Sequence, residues 1–344
     1  MMSDEKQAVT KGEDKQMKRL RPCKQVYHHD RVFLAGLLMV FLLLTACAPA
    51  SPAQTVTPTA QTTAPPSPTP TATVMPSPTS VPKAPVGYVA HTILQGVGRP
   101  DDLAFDLQGN LLFSDEFNGT INRINTNGTV TTLLRGLAGP EGIVVLPDGR
   151  LIVAEQETNQ ILAFAPGSTN AVVLHRLPGT PSSALCKHGI DGIAYDPTTS
   201  TLILPDSPTG EVYRMSLDGK SLVRLASGIV RPVGAGVDSQ GNIFLADECG
   251  NAVWRLSPAG SVTRIGGFGM PDDVISDGFG NLLIIDLAPS IHAFLRLNLA
   301  SGKRETLASR GFIEPQGLAM DAQGNVFVAD DYANVIVKFT PRSS

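Results

Sequence analysis

The sequence predicts an all-β protein in which six four-stranded units close into a ring, and three observations predict it. First, one pattern recurs six times: Pro-x-Gly, an apolar run, Asp, a Gly-Asn turn, a second apolar run and a closing Asp. Its clearest copy is IEPQGLAMDAQGNVFVADD at 313–331. Variants open at Pro100, Pro140, Ile190, Pro232 and Pro271; counting the last from Pro315, the starts lie 40, 50, 42, 39 and 44 residues apart. Several short strands per unit at such a period mark a β-propeller. Second, each unit offers four strand candidates, in the second unit roughly 142–146, 151–154, 160–164 and 171–177. Third, the last unit supplies only three strands, while HTILQGVGRP at 91–100 matches the spacing of TTLLRGLAGP at 131–140. An N-terminal strand beginning near Tyr88 is therefore expected to complete the last blade and close a six-bladed β-propeller.

Taken in order, the chain opens with a leader. Residues 32–46, VFLAGLLMVFLLLTA, follow a basic run that includes Lys18, Arg19, Arg21, Lys24 and Arg31. As a helix the segment would be about 22 Å long, short for a hydrocarbon core of roughly 30 Å. It reads as the apolar region of a signal peptide. Leu44-Thr45-Ala46-Cys47 resembles a bacterial lipobox, which implies cleavage before Cys47 and lipidation of its sulfur. Residues 1–46 are then a lipoprotein signal peptide, with Met17 as an alternative start. An uncleaved anchor is the other reading, and both put the body outside the cytoplasm. Residues 48–86 hold 11 Pro, nine Thr and a single charge, Lys83. Such a segment cannot bury enough apolar surface to order itself, so 47–86 reads as a tether reaching on the order of 100 Å.

The domain at 87–344 is long enough for a large core. Turn signals fall between first and second strands (Gly109-Asn110, Gly241-Asn242, Gly324-Asn325) and between third and fourth (Asn127-Gly128, Asp218-Gly219). Up-and-down strands put both sets on one face. The other face receives the Pro-x-Gly segments and the loops after the second strands.

Charge narrows the function. Residues 1–47 hold eight Lys/Arg and five Asp/Glu; the remainder holds 19 and 26, a net of −7. An acidic body argues against nucleic acid, whose backbone needs basic neutralisation. It suits a metal ion or a neutral solute better. The residue after each opening Pro, or after Ile190, is Asp101, Glu141, Asp191, Val233, Asp272 and Gln316 in turn. These are expected at the mouth of the central channel, with Asp102 and Asp273 adding two carboxylates where other units have Gly. Like charges converging there repel unless a cation joins them, and hard oxygen ligands suit Ca²⁺ or Mg²⁺. A second acidic series, Asp115, Glu155, Asp206, Asp247, Asp286 and Asp330, ends every second strand. A position filled in all six units reads as architectural, a carboxylate accepting backbone N–H groups.

The repeated pattern resembles NHL repeats and the neighbouring gluconolactonase/regucalcin family of six-bladed propellers, over 87–341. The latter resemblance implies a divalent ion held by Glu, Asn and Asp side chains, which polarises a lactone carbonyl and activates water. By position, the family's Pro-Asp-Gly site corresponds to Pro271-Asp272-Asp273. Its Asn-Gly site falls on Val233-Gly234, and valine cannot ligate. Shifting the register by one blade puts Asp191 on the Asn but still leaves Val233 on a ligand position. The candidate metal ligands are Asp101, Glu141, Asp191 and Asp272.

His188, in the insertion at 178–189, and His292, in the longer loop of the fifth blade, are the candidate acid/base residues; idle loop histidines are the plainer reading. Cys186 and Cys249 fall in loops of one face on adjacent blades. Outside the cytoplasm they make a disulfide or, if too far apart, two free thiols. The sequence thus points to a monomeric, lipid-anchored NHL-like propeller in the cell envelope, touching the membrane through Cys47 and binding a small solute or protein at its mouth. The alternative is a divalent-metal-dependent lactonase or esterase.

Overall fold

The computed structural model describes residues 87–342, except Val97 and Thr126. The expected signal peptide, Cys47 and the tether lie outside the described residues. The described chain forms six four-stranded antiparallel sheets. In the first, the order is β2 (Leu103–Phe105), β3 (Leu111–Asp115), β4 (Thr120–Ile124) and β5 (Val130–Arg135). The second blade holds β6 (Pro140–Val145), β7 (Leu151–Glu155), β8 (Gln160–Phe164) and β9 (Ala171–Arg176). The third runs through β10 (Ala194–Asp196), β11 (Thr201–Asp206), β12 (Glu211–Ser216) and β13 (Leu222–Ala226). The fourth contains β14 (Pro232–Val237), β15 (Ile243–Asp247), β16 (Ala252–Leu256) and β17 (Val262–Gly266). The fifth contains β18 (Pro271–Ser276), β19 (Asn281–Asp286), β20 (Ala293–Asn298) and β21 (Arg304–Ala308).

The sixth blade has β22 (Pro315–Met320), β23 (Val326–Asp330) and β24 (Val335–Pro341), and its outer strand is the N-terminal β1 (Tyr88–Gln95). β1 pairs antiparallel with β24, from Tyr88 opposite Pro341 to Gln95 opposite Val335. The innermost strands touch in the cyclic order β2, β6, β10, β14, β18, β22 and back to β2. The protein is a six-bladed β-propeller.

Its core is divided into layers between neighbouring blades. Leu146, Ile152 and Ile161 of the second blade pack on Ile193, Leu202 and Met215 of the third. Phe113 of the first packs with Phe327 and Ala329 of the sixth, and Phe294 of the fifth with Val328 and Phe339 of the sixth. Alternate residues of a buried strand face opposite neighbours, so the second strands are apolar on both faces.

Polar residues of the repeat build its corners. Each closing carboxylate of a second strand accepts N–H groups from the segment entering its blade. Asp115 accepts from Arg99 N (3.0 Å), Glu155 from Ala138 N (2.9 Å) and Asp206 from Gly179 N (2.9 Å). Asp247 accepts from Arg231 N (2.9 Å), Asp286 from Gly269 N (2.7 Å) and Asp330 from Ile313 N (2.8 Å). The Asp-x-x-Gly-Asn turns have a parallel logic. In one, Asp321 accepts from Gln323 N, Asn325 N and the Asn325 side chain.

One difference from the sequence reading concerns the Pro-x-Gly segments. In the second, fourth, fifth and sixth blades they are the first residues of the innermost strand, not loops. Each carries a register shift, as between Pro140 and Ile143 or Pro271 and Val274. A bulge there bends the strand where it reaches the mouth.

Candidate functional site

The mouth gathers side chains from three positions of the repeat: the residue before each Pro, the residue after it, and the residue after each corner carboxylate. Only the second was evident from the sequence. The first adds Arg99, Arg231 and Glu314; the third adds Glu116, Gln156, Glu248 and Asp331. Both recur at the same period as the carboxylates, and that spacing is the signal that finds them.

The four expected metal ligands do not share one cluster. Asp101 and Glu141, both buried, come together with half-buried Glu116, with ligand oxygens all within 4.8 Å of one another. Asp191 instead faces Arg231, whose Nη2 lies 3.1 Å from its carboxylate; Arg231 also pairs with Glu248. Gln156 donates to Glu141 (2.8 Å) and, more weakly, to Asp191 (3.5 Å). A polar chain thus runs Glu141–Gln156–Asp191–Arg231–Glu248 across three blades. The cation required by the converging carboxylates is supplied here by the chain's own guanidinium. Val233, on the position that cannot ligate, is fully buried in the core between fourth and fifth blades.

Beside Arg231 lies a pocket of about 20 Å³, lined also by His188, Asp272, Leu287, Glu314 and Gln316. It has room for one water-sized group. Cys186 and Cys249 are joined as a disulfide, with Cα atoms 6.1 Å apart. Cys186 sits in the left-handed region at φ 63°. The bond ties the insertion, two residues before His188, to the residue following Glu248. His188 is buried at the pocket; His292, half-buried in the loop between β19 and β20, lines neither this pocket nor the channel. At the rim, Arg99 bonds Asp331 (3.0 Å), with its guanidinium 4.2 Å from the Tyr332 ring centre and 5.1 Å from that of Phe117.

Below the mouth, a cavity of about 270 Å³ in the channel is lined by Asp102 and Asp273 among others. Four other blades have Gly at this position because the inner strands nearly touch. A Cβ on Gly192 would lie 2.8 Å from Gly234 Cα, and one on Gly317 2.7 Å from Asp102 Cα. The two aspartates join blades rather than extending the mouth ring. Asp102 accepts from Ile143 N of the second blade and Asp273 from Leu318 N of the sixth, both at 2.8 Å. Burial, with the Asp273 charge adding to it, pushes the Asp102 carboxyl well above the usual range. Burial likewise pushes Asp273 up to about 7, with Asp191 and Asp101 contributing.

The fold and this mouth define a class, six-bladed propellers with a polar central site. No protein-family model matches the chain, and no curated protein sequence does. Solved structures do. A gluconolactonase from Xanthomonas campestris superposes with TM-score 0.60 at 17% identity, covering 74% of this chain and 90% of that one. A virginiamycin B lyase from Staphylococcus aureus gives 0.54 at 17%, covering 69% and 79%. A chain of a nidogen/laminin complex gives 0.57 at 22%, covering 63% and 83%. At these identities the likeness concerns the fold.

The Asp273 shift has a measurable consequence. Its folded value of about 7 exceeds the unfolded value near 3.8. As pH rises between them the unfolded state releases its proton first, so stability falls across that window and is flat above it. Asp273→Asn removes this contribution. Thermal unfolding from about pH 4 to about pH 7 should show a weaker decline in the variant than in the wild type; equal slopes would contradict the assignment.

Proposed function

We propose that this protein is an exported, lipid-anchored, NHL-like propeller that binds a small solute or a protein at its central mouth. What carries the binding reading is the collection of buried charged groups at one end of the channel. Asp101, Glu141, Glu248, Arg231 and His188 are each at most 6% exposed. Desolvating such groups costs free energy, and replacement by apolar residues is often neutral or stabilising. The corner carboxylates recur in all six blades, whereas these groups do not, so they are not part of the repeated architecture. Buried polar groups converging in one concave place are a usual mark of a binding site. Export and anchoring rest on the apolar segment at 32–46 and on Leu44-Thr45-Ala46-Cys47. Replacing Cys47 with Ser is expected to abolish incorporation of labelled palmitate; retained label would contradict the anchor.

A second reading has one observation in its favour. Two oxygens on opposite sides of a Ca²⁺ ion, each at about 2.4 Å, are separated by about 4.8 Å, and the Asp101–Glu116–Glu141 oxygens fall within that span. These hard donors fit a divalent cation, and they would be its holders. A bound ion there supplies Lewis-acid polarisation of a carbonyl, as lactone hydrolysis needs. The gluconolactonase neighbour supports this reading through the fold only. Against it stand Val233 in the core and Arg231 beside Asp191.

Both readings are tested by thermal-shift titration with Ca²⁺, Mg²⁺, small lactones, sugars, amines and basic peptides. A ligand at 100 times its Kd stabilises by about 2.7 kcal/mol. At least one class should stabilise the wild type, and the shift should shrink in an Asp272→Asn/Glu141→Gln variant. Stabilisation by a divalent ion together with chelator-sensitive lactone turnover would select the second reading. A flat response to the whole panel would contradict both.

A further inference from the structure

We infer that the occupant of the mouth is a segment of another protein that presents a lysine or arginine flanked by apolar residues. This rests on the proposal that the mouth binds a ligand, and it names the ligand's chemistry. Two independent features of the same face support it.

The first is charge. The carboxylates already described at the mouth are eight in number, from Asp101 through Asp331, and they face two arginines, Arg99 and Arg231. Lys187 and Arg310 lie on exposed loops of this face. A concave site lined by one sign of charge focuses its field and favours an opposite charge. The mouth also displays how it seats a guanidinium. Arg231 lies between Asp191 and Glu248. Arg99 lies against Asp331 with the rings of Tyr332 and Phe117 beside it. Carboxylate pairing and ring stacking are the ordinary means of holding a cationic side chain.

The second feature is apolar. Phe117 and Tyr332 follow second strands; Leu185, Val230 and Ile313 precede first strands. All five therefore lie on the mouth face, and their exposures run from 47% to 73%. A small inorganic cation would have no use for such a rim. A peptide does, because apolar side chains next to its basic residue then leave water as the charge enters the mouth. Apolar side chains exposed together on one face are a mark of a protein-interaction surface.

The test is selection from a random peptide display library on the full chain, with two variants carried in parallel. Phe117→Ser/Tyr332→Ser removes the two exposed rings beside Arg99 and leaves every mouth carboxylate in place, and Asp272→Asn/Glu141→Gln alters the mouth charge. Circular dichroism and thermal unfolding establish that each variant is folded. Enriched peptides should carry Lys or Arg next to apolar residues. The affinity of the synthesised winner should fall roughly tenfold in each folded variant. It should also weaken as salt is raised from about 50 mM to about 500 mM. No enrichment, enriched peptides without a basic residue, or affinity unchanged in the folded variants would each overturn the inference. If Ca²⁺ or a lactone stabilises the protein in the thermal-shift panel while no basic peptide is enriched, this inference falls and mouth binding stands. If nothing in that panel binds, both fall together.

Discussion

The structure depends on one repeated interaction, a carboxylate at the end of each second strand that accepts backbone N–H groups from the segment entering its own blade. A loop crossing from the outer edge of one blade to the inner edge of the next carries amides that no strand pairs. Left buried and unpaired, each would cost about 1–3 kcal/mol. Asp206 shows the fullest case. It takes the Gly179 amide at 2.9 Å, the Asn159 side chain at 2.8 Å and the Thr209 hydroxyl at 2.7 Å. In the fourth blade Asp247 also holds the indole of Trp254 at 2.9 Å, so the same carboxylate orders both the loop and the third strand. Because the corners fix the incoming segments, the residues on either side of each opening Pro arrive at the axis in register.

Acidic residues in this chain therefore do three different things. Those at the corners accept backbone and side-chain donors and hold the architecture. Asp102 and Asp273 reach across to neighbouring blades inside the channel, where only Gly fits in four other repeats. Those at the mouth, such as Asp101, Glu141 and Asp191, neighbour one another or an arginine. The third group gathers at the open end of the channel beside Arg231 and His188, and the proposed binding site is built from it. Arg231 divides the mouth in two. On its side the carboxylates are bridged by guanidinium; on the side of Asp101, Glu116 and Glu141 three oxygens crowd within a few ångströms. The disulfide between Cys186 and Cys249 fastens the insertion over the bridged side.

Most of the fold was legible because it is periodic. Blade number, the closing role of the strand near Tyr88 and the corner carboxylates all follow from residues that recur at fixed offsets. The Pro-x-Gly segments misled in one respect. Pro and Gly signal turns, yet here they mark a bulged strand start, because the inner strand has only a neighbouring backbone beside it and tolerates the missing donor. The mouth was half legible. Asp101, Glu141 and Asp272 are located by their offset from Pro and Asp191 by the same offset from Ile190, whereas Glu116 and Arg231 stand at offsets filled by different residue types from blade to blade. Which side chains meet across blades depends on ring geometry, so the pairing of Asp191 with Arg231 could not be read from spacing. For Cys186 and Cys249 the repeat places both loops on one face of adjacent blades and leaves a disulfide or two free thiols open; the structure has the disulfide.

The corner carboxylates are the claim on which the account turns, and Asp206→Ala tests them most directly. Urea unfolding should show a loss of about 3 kcal/mol, since buried donors at Gly179 and Asn159 are left without their acceptor. Native-state hydrogen exchange should show faster exchange at Gly179 and along the insertion that follows it. An unchanged unfolding midpoint with unchanged protection at Gly179 would contradict the account.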